Sequence, residues 1–107
     1  MKIILLKEAQ RFMEETSPKA REKMYYNLRL VQGGVKDIRL FKKLDGTEIW
    51  EFRTEYGNNA YRLLSFWDTQ RDSLVVATHG FVKKSQKTPT KEIRKAESIR
   101  TEYFKTK

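Results

Sequence analysis

Apolar and polar positions repeat with two different periods along this chain, and those periods predict both helices and strands. A continuous apolar run predicts a strand over residues 2–6, and a helix is predicted over 7–15. A second helix is predicted to begin at Ser17-Pro18, because the serine oxygen can cap free amides and proline suits the first helical turn. Its buried positions, spaced by four, four and three residues, are Ala20, Met24, Leu28 and Val31. Gly33-Gly34 is predicted to end it.

The second half of the chain alternates with the two-residue period of strands. Residues 47–56 and 60–67 are predicted to pair as a hairpin, with Gly57-Asn58-Asn59 as the turn. The run 74–77 is apolar on both faces, which predicts a central strand. Thr88-Pro89 is predicted to start a last helix, with Thr88 as its cap. The apolar positions of that helix are Ile93, Ala96, Ile99 and Tyr103.

These elements predict an α+β fold in the order β-α-α-β-β-β-α. We expect a compact antiparallel sheet with two N-terminal helices packed on one face and a C-terminal helix. Residues 35–44 fit neither period and stay unassigned. The length suits a single domain over residues 1–107.

Strand parity predicts which side chains share a face of the hairpin. Paired positions across a two- or four-residue hairpin loop sum to an odd number, so Arg53 should lie near or opposite Arg62, with Glu51 on the same face. The helices should cover the other, aromatic face, which holds Trp50, Phe52, Tyr61 and Leu63. We therefore expect Glu51, Arg53 and Arg62 to lie close together on an exposed face.

Two neighbouring arginines repel each other, so something must offset that cost. One possibility is an ordinary surface network with Glu51 or Glu55. The other is a bound phosphate, because guanidinium groups match phosphate oxygens. The next strand brings His79 and then Lys83-Lys84 to the same end of the sheet, which favours the phosphate.

The net charge of +9 is concentrated at the end of the chain. Residues 83–107 carry nine Lys/Arg and three Glu, a net charge of +6. This distribution suits a polyanion or an acidic protein partner, although a soluble protein can also simply be basic. No apolar run approaches the ~20 residues of a membrane span, so we expect no membrane partner and a cytoplasmic protein. With no cysteine and His79 as the one histidine, we predict neither a metal site nor a cofactor.

The blocks Trp50-Glu51-Phe52-Arg53, Tyr61-Arg62 and 79–89, followed by Ile93 and Ala96, resemble the phage-derived HigB-type branch of the RelE toxin superfamily. The resemblance covers roughly residues 5–104. It implies a ribosome-dependent mRNA endonuclease, the toxin of a type II toxin–antitoxin pair. It also implies a cognate antitoxin, often of the helix-turn-helix type. The toxin would then contact operator DNA only through this antitoxin.

The resemblance also implies roles for residues of this chain. Arg62 matches an arginine that binds the scissile phosphate, and Lys83 and Lys84 match a basic pair. Glu51 and Arg53 match a strand where some members place a carboxylate base, and His79 stands at a variable position. Further basic residues predicted to bind RNA are Lys87, Lys91 and Arg94.

The predicted reaction is metal-independent attack by an RNA 2′-hydroxyl, which leaves a 2′,3′-cyclic phosphate. The general base would be Glu51 or a lysine with a lowered pKa. His79 would be either the acid or a structural hydrogen-bonding residue.

Three other functions remain open. The first is a ParE-like toxin that poisons gyrase, which the retained Arg62, Lys83 and Lys84 disfavour. The second is a non-catalytic RNA-binding module, which needs stacking aromatics on the open sheet face, where Phe66 gives little support. The third is a degenerate copy kept for operon regulation. The antitoxin could inhibit by covering Arg62, Lys83 and Lys84 or by docking on the first two helices.

Overall fold

Five strands and three helices succeed one another within the residues that the computed structural model describes, 1–71 and 73–106. They are β1 Lys2–Leu5, α1 Lys7–Glu15, α2 Pro18–Gln32, β2 Phe41–Lys43, β3 Trp50–Tyr56, β4 Asn59–Asp68, β5 Leu74–Lys83 and α3 Thr90–Lys105. The predicted α+β class and the general order of elements are confirmed. Residues 35–44, which were not assigned from the sequence, contain β2. This strand has three residues and is too short to show a repeat of apolar positions.

The strands form one sheet in the order β1-β5-β4-β3-β2. The pairs from β5 to β2 are antiparallel, as predicted, but β1 pairs with β5 in parallel, so the sheet is mixed. The parallel pair is possible because the whole of the intervening chain, helices included, separates β1 from β5.

Helix ends follow the predicted chemistry at α2 but not at α3. The Ser17 hydroxyl accepts a hydrogen bond from the Ala20 amide at 3.2 Å, as expected of a cap. At α3 the capping position belongs to Pro89, and no side chain caps the helix. The prediction that Thr88 caps α3 is wrong, because its hydroxyl donates to a carboxylate on β3 instead.

Each face of the sheet has its own apolar core. Helices α1 and α2 cover one face, where their buried residues pack with Phe52, Leu63 and Val75. Helix α3 covers the opposite face, where Ala96 packs with Leu64 and Phe66. The expectation that this second face is exposed is therefore wrong: α3 has its own apolar stripe to bury, and the first face is already occupied by α1 and α2.

The hairpin between β3 and β4 has the register that parity predicts, with Arg53 directly opposite Arg62. The turn is one residue shorter than predicted, because Asn59 already pairs with Tyr56 and begins β4. The loop consists of Gly57 and Asn58, both with positive φ (56° and 66°), which suits a tight two-residue turn. Within residues 1–71 and 73–106, no helix has the length and apolar character needed to cross a bilayer.

Candidate functional site

A β-bulge places the charged residues of β5 on the same face as those of β3 and β4. The register shifts between Leu64 and Ser65, where His79 pairs with Leu64 but Ala77 pairs with Ser65, so Thr78 is the extra residue. Before the bulge, the even-numbered residues of β5 face the α3 side of the sheet. After it, the odd-numbered residues face that side. Lys83, opposite Ala60, therefore shares a face with Arg62.

The carboxylate of Glu51 lies at the centre of this charged cluster. Its side chain is 1% exposed, and its Oε1 lies 3.2 Å from Arg53 Nε and 3.5 Å from Arg62 Nε. Its other oxygen, Oε2, accepts a hydrogen bond from the Thr88 hydroxyl. A buried carboxylate is costly unless it is paired, and here two cations and a hydroxyl satisfy it.

Arg62 is also buried, with 5% of its side chain exposed. Its Nη1 donates to the Tyr61 carbonyl at 3.0 Å, and its Nη2 donates to Glu55 Oε1 at 3.0 Å. Glu55 is 68% exposed, so the outer edge of the Arg62 guanidinium is held by a carboxylate at the surface. The cluster predicted from parity is present, but Glu51 and Arg62 lie below the surface rather than on it.

An open cavity of about 760 Å³ lies beside the cluster, at the hairpin end of the sheet. Its lining includes Arg53, Glu55, Asn58, Asn59, Arg62, Lys83 and Lys84. The structure thus brings four of the predicted site residues to one cavity, and Glu51 sits directly behind Arg53 and Arg62.

Burial lowers the pKa of Lys83 below its usual value, and the nearby charges of Arg62 and Arg53 lower it further. Glu51 and Glu55 act in the opposite direction but do not cancel the shift. Lys83 therefore loses its proton more readily than a lysine in water, which suits a proton acceptor.

His79 lies outside this cavity. Its Nε2 is 3.0 Å from Glu92 Oε1 on α3, and its Nδ1 is 2.9 Å from the Thr78 hydroxyl. It lines a separate space of about 160 Å³ with residues such as Glu8 and Lys95. These contacts connect β5 to the first turn of α3, so the geometry favours the structural alternative for His79.

The pH dependence of folding should report the environment of His79. Burial lowers its pKa from 6.5, against the opposing effect of Glu92. As pH falls below 6.5, the unfolded chain takes up a proton that the folded protein does not, so stability should fall. The unfolding free energy in urea should therefore decrease from pH 7 towards the lowered pKa. In His79→Gln that part of the slope should disappear, and an unchanged slope would contradict this assignment.

The three other predicted RNA-binding residues are exposed and do not line the cavity. Lys87 is exposed in the loop between β5 and α3, and Lys91 and Arg94 are exposed on α3. Thr88, Asn58 and Asn59 belong to the site but are not predicted from the sequence, and Glu55 is predicted only as an ion-pair partner. Glu55 lies at an odd-numbered position of the same strand as Glu51 and Arg53. This shared strand face is the sequence feature from which its place in the site could have been predicted.

Within the part of the chain that the structure describes, no group of three or more His, Asp or Glu side chains is placed to hold a metal ion. The cavity instead concentrates cations. Two guanidinium groups and two ammonium groups face or border it, which is an arrangement suited to a phosphate.

Residues 11–101 of the chain match the model of a protein family described as "Phage derived protein Gp49-like (DUF891)". That range includes α2, all the cavity residues and most of α3. No curated protein gives a significant match to this chain.

Proposed function

The chain belongs to the Gp49-like family of phage-derived proteins, a type II toxin family related to RelE and HigB, and from this premise we propose that it is a ribosome-dependent mRNA endonuclease. One observation carries the proposal: Arg53, Arg62 and Lys83 border a single open cavity, with Glu51 buried behind them. The family implies an antitoxin partner in general.

The cavity suits a phosphate held between strands β3, β4 and β5. Glu55 already places a carboxylate on Arg62 Nη2, at 3.0 Å, and a phosphate oxygen would take that position. Fixed guanidinium donors stabilise charge that develops on phosphoryl oxygens without having to reorganise during the reaction. We assign this role to Arg62 and Arg53.

In the proposed reaction two protons are transferred, one bond to phosphorus forms and another breaks. Lys83, as the free amine, takes the proton of the RNA 2′-hydroxyl, and the 2′-oxygen forms a bond to the adjacent phosphorus. The bond from phosphorus to the 5′-oxygen breaks, and the Lys84 ammonium gives that oxygen a proton. The products are a 2′,3′-cyclic phosphate and a 5′-hydroxyl, without a metal ion.

Glu51 has a positioning role in this proposal rather than that of a base. One of its oxygens is shared by Arg53 and Arg62, and the other accepts from Thr88. A carboxylate held in this way at 1% exposure has no free oxygen directed to an RNA hydroxyl. Its contribution is to fix both arginines at the cavity wall.

The partners follow from the same proposal. The substrate is mRNA on a translating ribosome in the cytoplasm, and the antitoxin is of the helix-turn-helix type. Operator DNA would be reached only through that antitoxin. Lys87, Lys91 and Arg94 would contact RNA phosphates beside the cavity.

Addition of the purified protein to a translating extract tests the proposal against a gyrase poison. We expect mRNA cleavage that requires translation, with fragments ending in a 2′,3′-cyclic phosphate and a 5′-hydroxyl. In cells, expression should arrest growth until the antitoxin is supplied. Intact mRNA together with gyrase–DNA adducts would replace this proposal by the ParE-like one, and normal growth with stable, full-length protein would indicate a degenerate copy.

Removal of the competing carboxylate at the cavity should strengthen RNA binding. In Glu55→Gln the outer edge of Arg62 becomes available to phosphate, so the KM for RNA should fall several-fold. Stability should change little, because Glu55 is 68% exposed and Arg62 keeps its contacts with Glu51 and with the Tyr61 carbonyl. Glu102→Gln, an exposed position on α3, is the matched control. A large loss of cleavage in Glu55→Gln would instead make Glu55 part of the catalytic machinery.

A further inference from the structure

A second surface with unusual composition lies on the outward side of α2, across the hairpin tip from the cavity. We define the tyrosine surface by Lys19, Lys23, Tyr25, Tyr26, Arg29 and Tyr56. These residues border an open groove of about 690 Å³, together with Glu22. Neither the proposed reaction nor the core of the protein uses them.

The aromatic rings of this surface are unusually exposed. Tyr25 is 40% exposed, Tyr26 is 50% exposed and Tyr56 is 38% exposed. The opposite side of α2 is buried, so the tyrosines are not required to complete the core. Three neighbouring exposed rings are the kind of surface on which nucleic-acid bases stack.

Cations lie among these rings at helical spacing. Lys19, Lys23 and Tyr26 follow one another at intervals of four and three residues, which places them on one side of α2. The Lys23 ammonium is 5.5 Å from the centre of the Tyr26 ring. Three cations against the single acidic residue Glu22 leave the surface positively charged.

The tyrosine surface and the cavity lie on opposite faces of the sheet and are connected by the hairpin tip. Tyr56 ends β3, the turn Gly57-Asn58 follows, and Asn58 and Asn59 line the cavity. An RNA strand that passed from the cavity around the tip would meet the cations of the cavity first and the aromatic rings of the tyrosine surface next.

We propose that the tyrosine surface binds single-stranded RNA by base stacking on Tyr25, Tyr26 and Tyr56 and by phosphate contacts to Lys19, Lys23 and Arg29. This inference rests on the proposed function, because it extends the RNA site beyond the cavity. An apolar groove of about 500 Å³ near the end of α2, lined by residues such as Ile38, Trp50 and Trp67, is separate and shares no lining residue with the tyrosine surface.

Fluorescence anisotropy with a fully 2′-O-methylated single-stranded RNA of about twelve nucleotides tests binding without cleavage. The double variant Tyr25→Ala/Tyr26→Ala should bind tenfold or more weakly, whereas Tyr25→Phe/Tyr26→Phe should retain affinity because the rings remain. Lys23→Gln should lower the slope of log affinity against log salt by about 0.7. Ile38→Ala, 68% exposed in the apolar groove, is the control and should leave binding unchanged.

Cleavage on translating ribosomes, measured with the same variants, separates this inference from the proposed function. If the wild type cleaves mRNA but the alanine double variant binds and cleaves as well as the wild type, the tyrosine surface is not an RNA site and the nuclease proposal stands. If the wild type does not cleave but the double variant loses RNA affinity, the surface is an RNA site and the nuclease proposal fails. Loss of antitoxin binding with unchanged RNA binding would overturn the inference in favour of a protein interface.

Discussion

Replacement of Arg62 by alanine should reduce mRNA cleavage by about 100- to 1,000-fold, because a fixed donor to the scissile phosphate is lost. It should also reduce the unfolding free energy by about 3 kcal/mol, since the buried Glu51 loses one of its two cations. An arginine on an open sheet face would stabilise the fold little, whereas Arg62 is 5% exposed. Cleavage in a translating extract and urea unfolding of the same preparation measure the two effects.

Two further variants separate the chemical from the structural effect of Arg62. In Glu51→Gln/Arg62→Gln the two most buried charges are both removed, and the partners they leave, Arg53 and Glu55, are 24% and 68% exposed. Stability should therefore recover in part while cleavage does not. Arg39→Ala removes an arginine that is 85% exposed and should change neither property. Recovery of cleavage together with stability would show that Arg62 is structural and that the phosphate site lies elsewhere.

Replacement of Lys83 by methionine should reduce cleavage by about 100- to 10,000-fold, because the proposed proton acceptor is removed. Stability should not fall, since the lowered pKa of Lys83 means that the folded environment disfavours its charge. In the wild type, the rate should rise with pH as the Lys83 ammonium loses its proton at a pH below the usual lysine pKa. In Lys83→Met that rise should be absent.

A second lysine provides the control for this variant. Lys105→Met removes an exposed lysine at the end of α3 and should leave the pH–rate profile unchanged. A profile for Lys83→Met that keeps the wild-type rise at a reduced rate would assign Lys83 to phosphate binding and require another base.

Local chemistry was sufficient to predict much of the fold. Helix α1 runs over the predicted residues, α2 begins after the predicted Ser17 cap, and the hairpin places Arg53 opposite Arg62. These features depend on residues close together in sequence: a period, a capping side chain and a two-residue turn. The charged cluster could be predicted for the same reason, because parity across a short turn determines which side chains face each other.

Contacts between residues distant in sequence determined the rest. The apolar stripe of α3 was visible in the sequence, but only the packed structure decided that it covers the sheet face that carries Glu51 and Arg62, both of which are buried. The hydroxyl of Thr88 could have capped α3, yet a buried carboxylate 37 positions away takes it. The bulge at Thr78, which turns Lys83 towards Arg62, arises from the pairing of β4 with β5. The sequence by itself therefore determined which groups exist and which near neighbours share a face, whereas tertiary packing decided their burial and their partners, because desolvation and pairing depend on which distant segments meet.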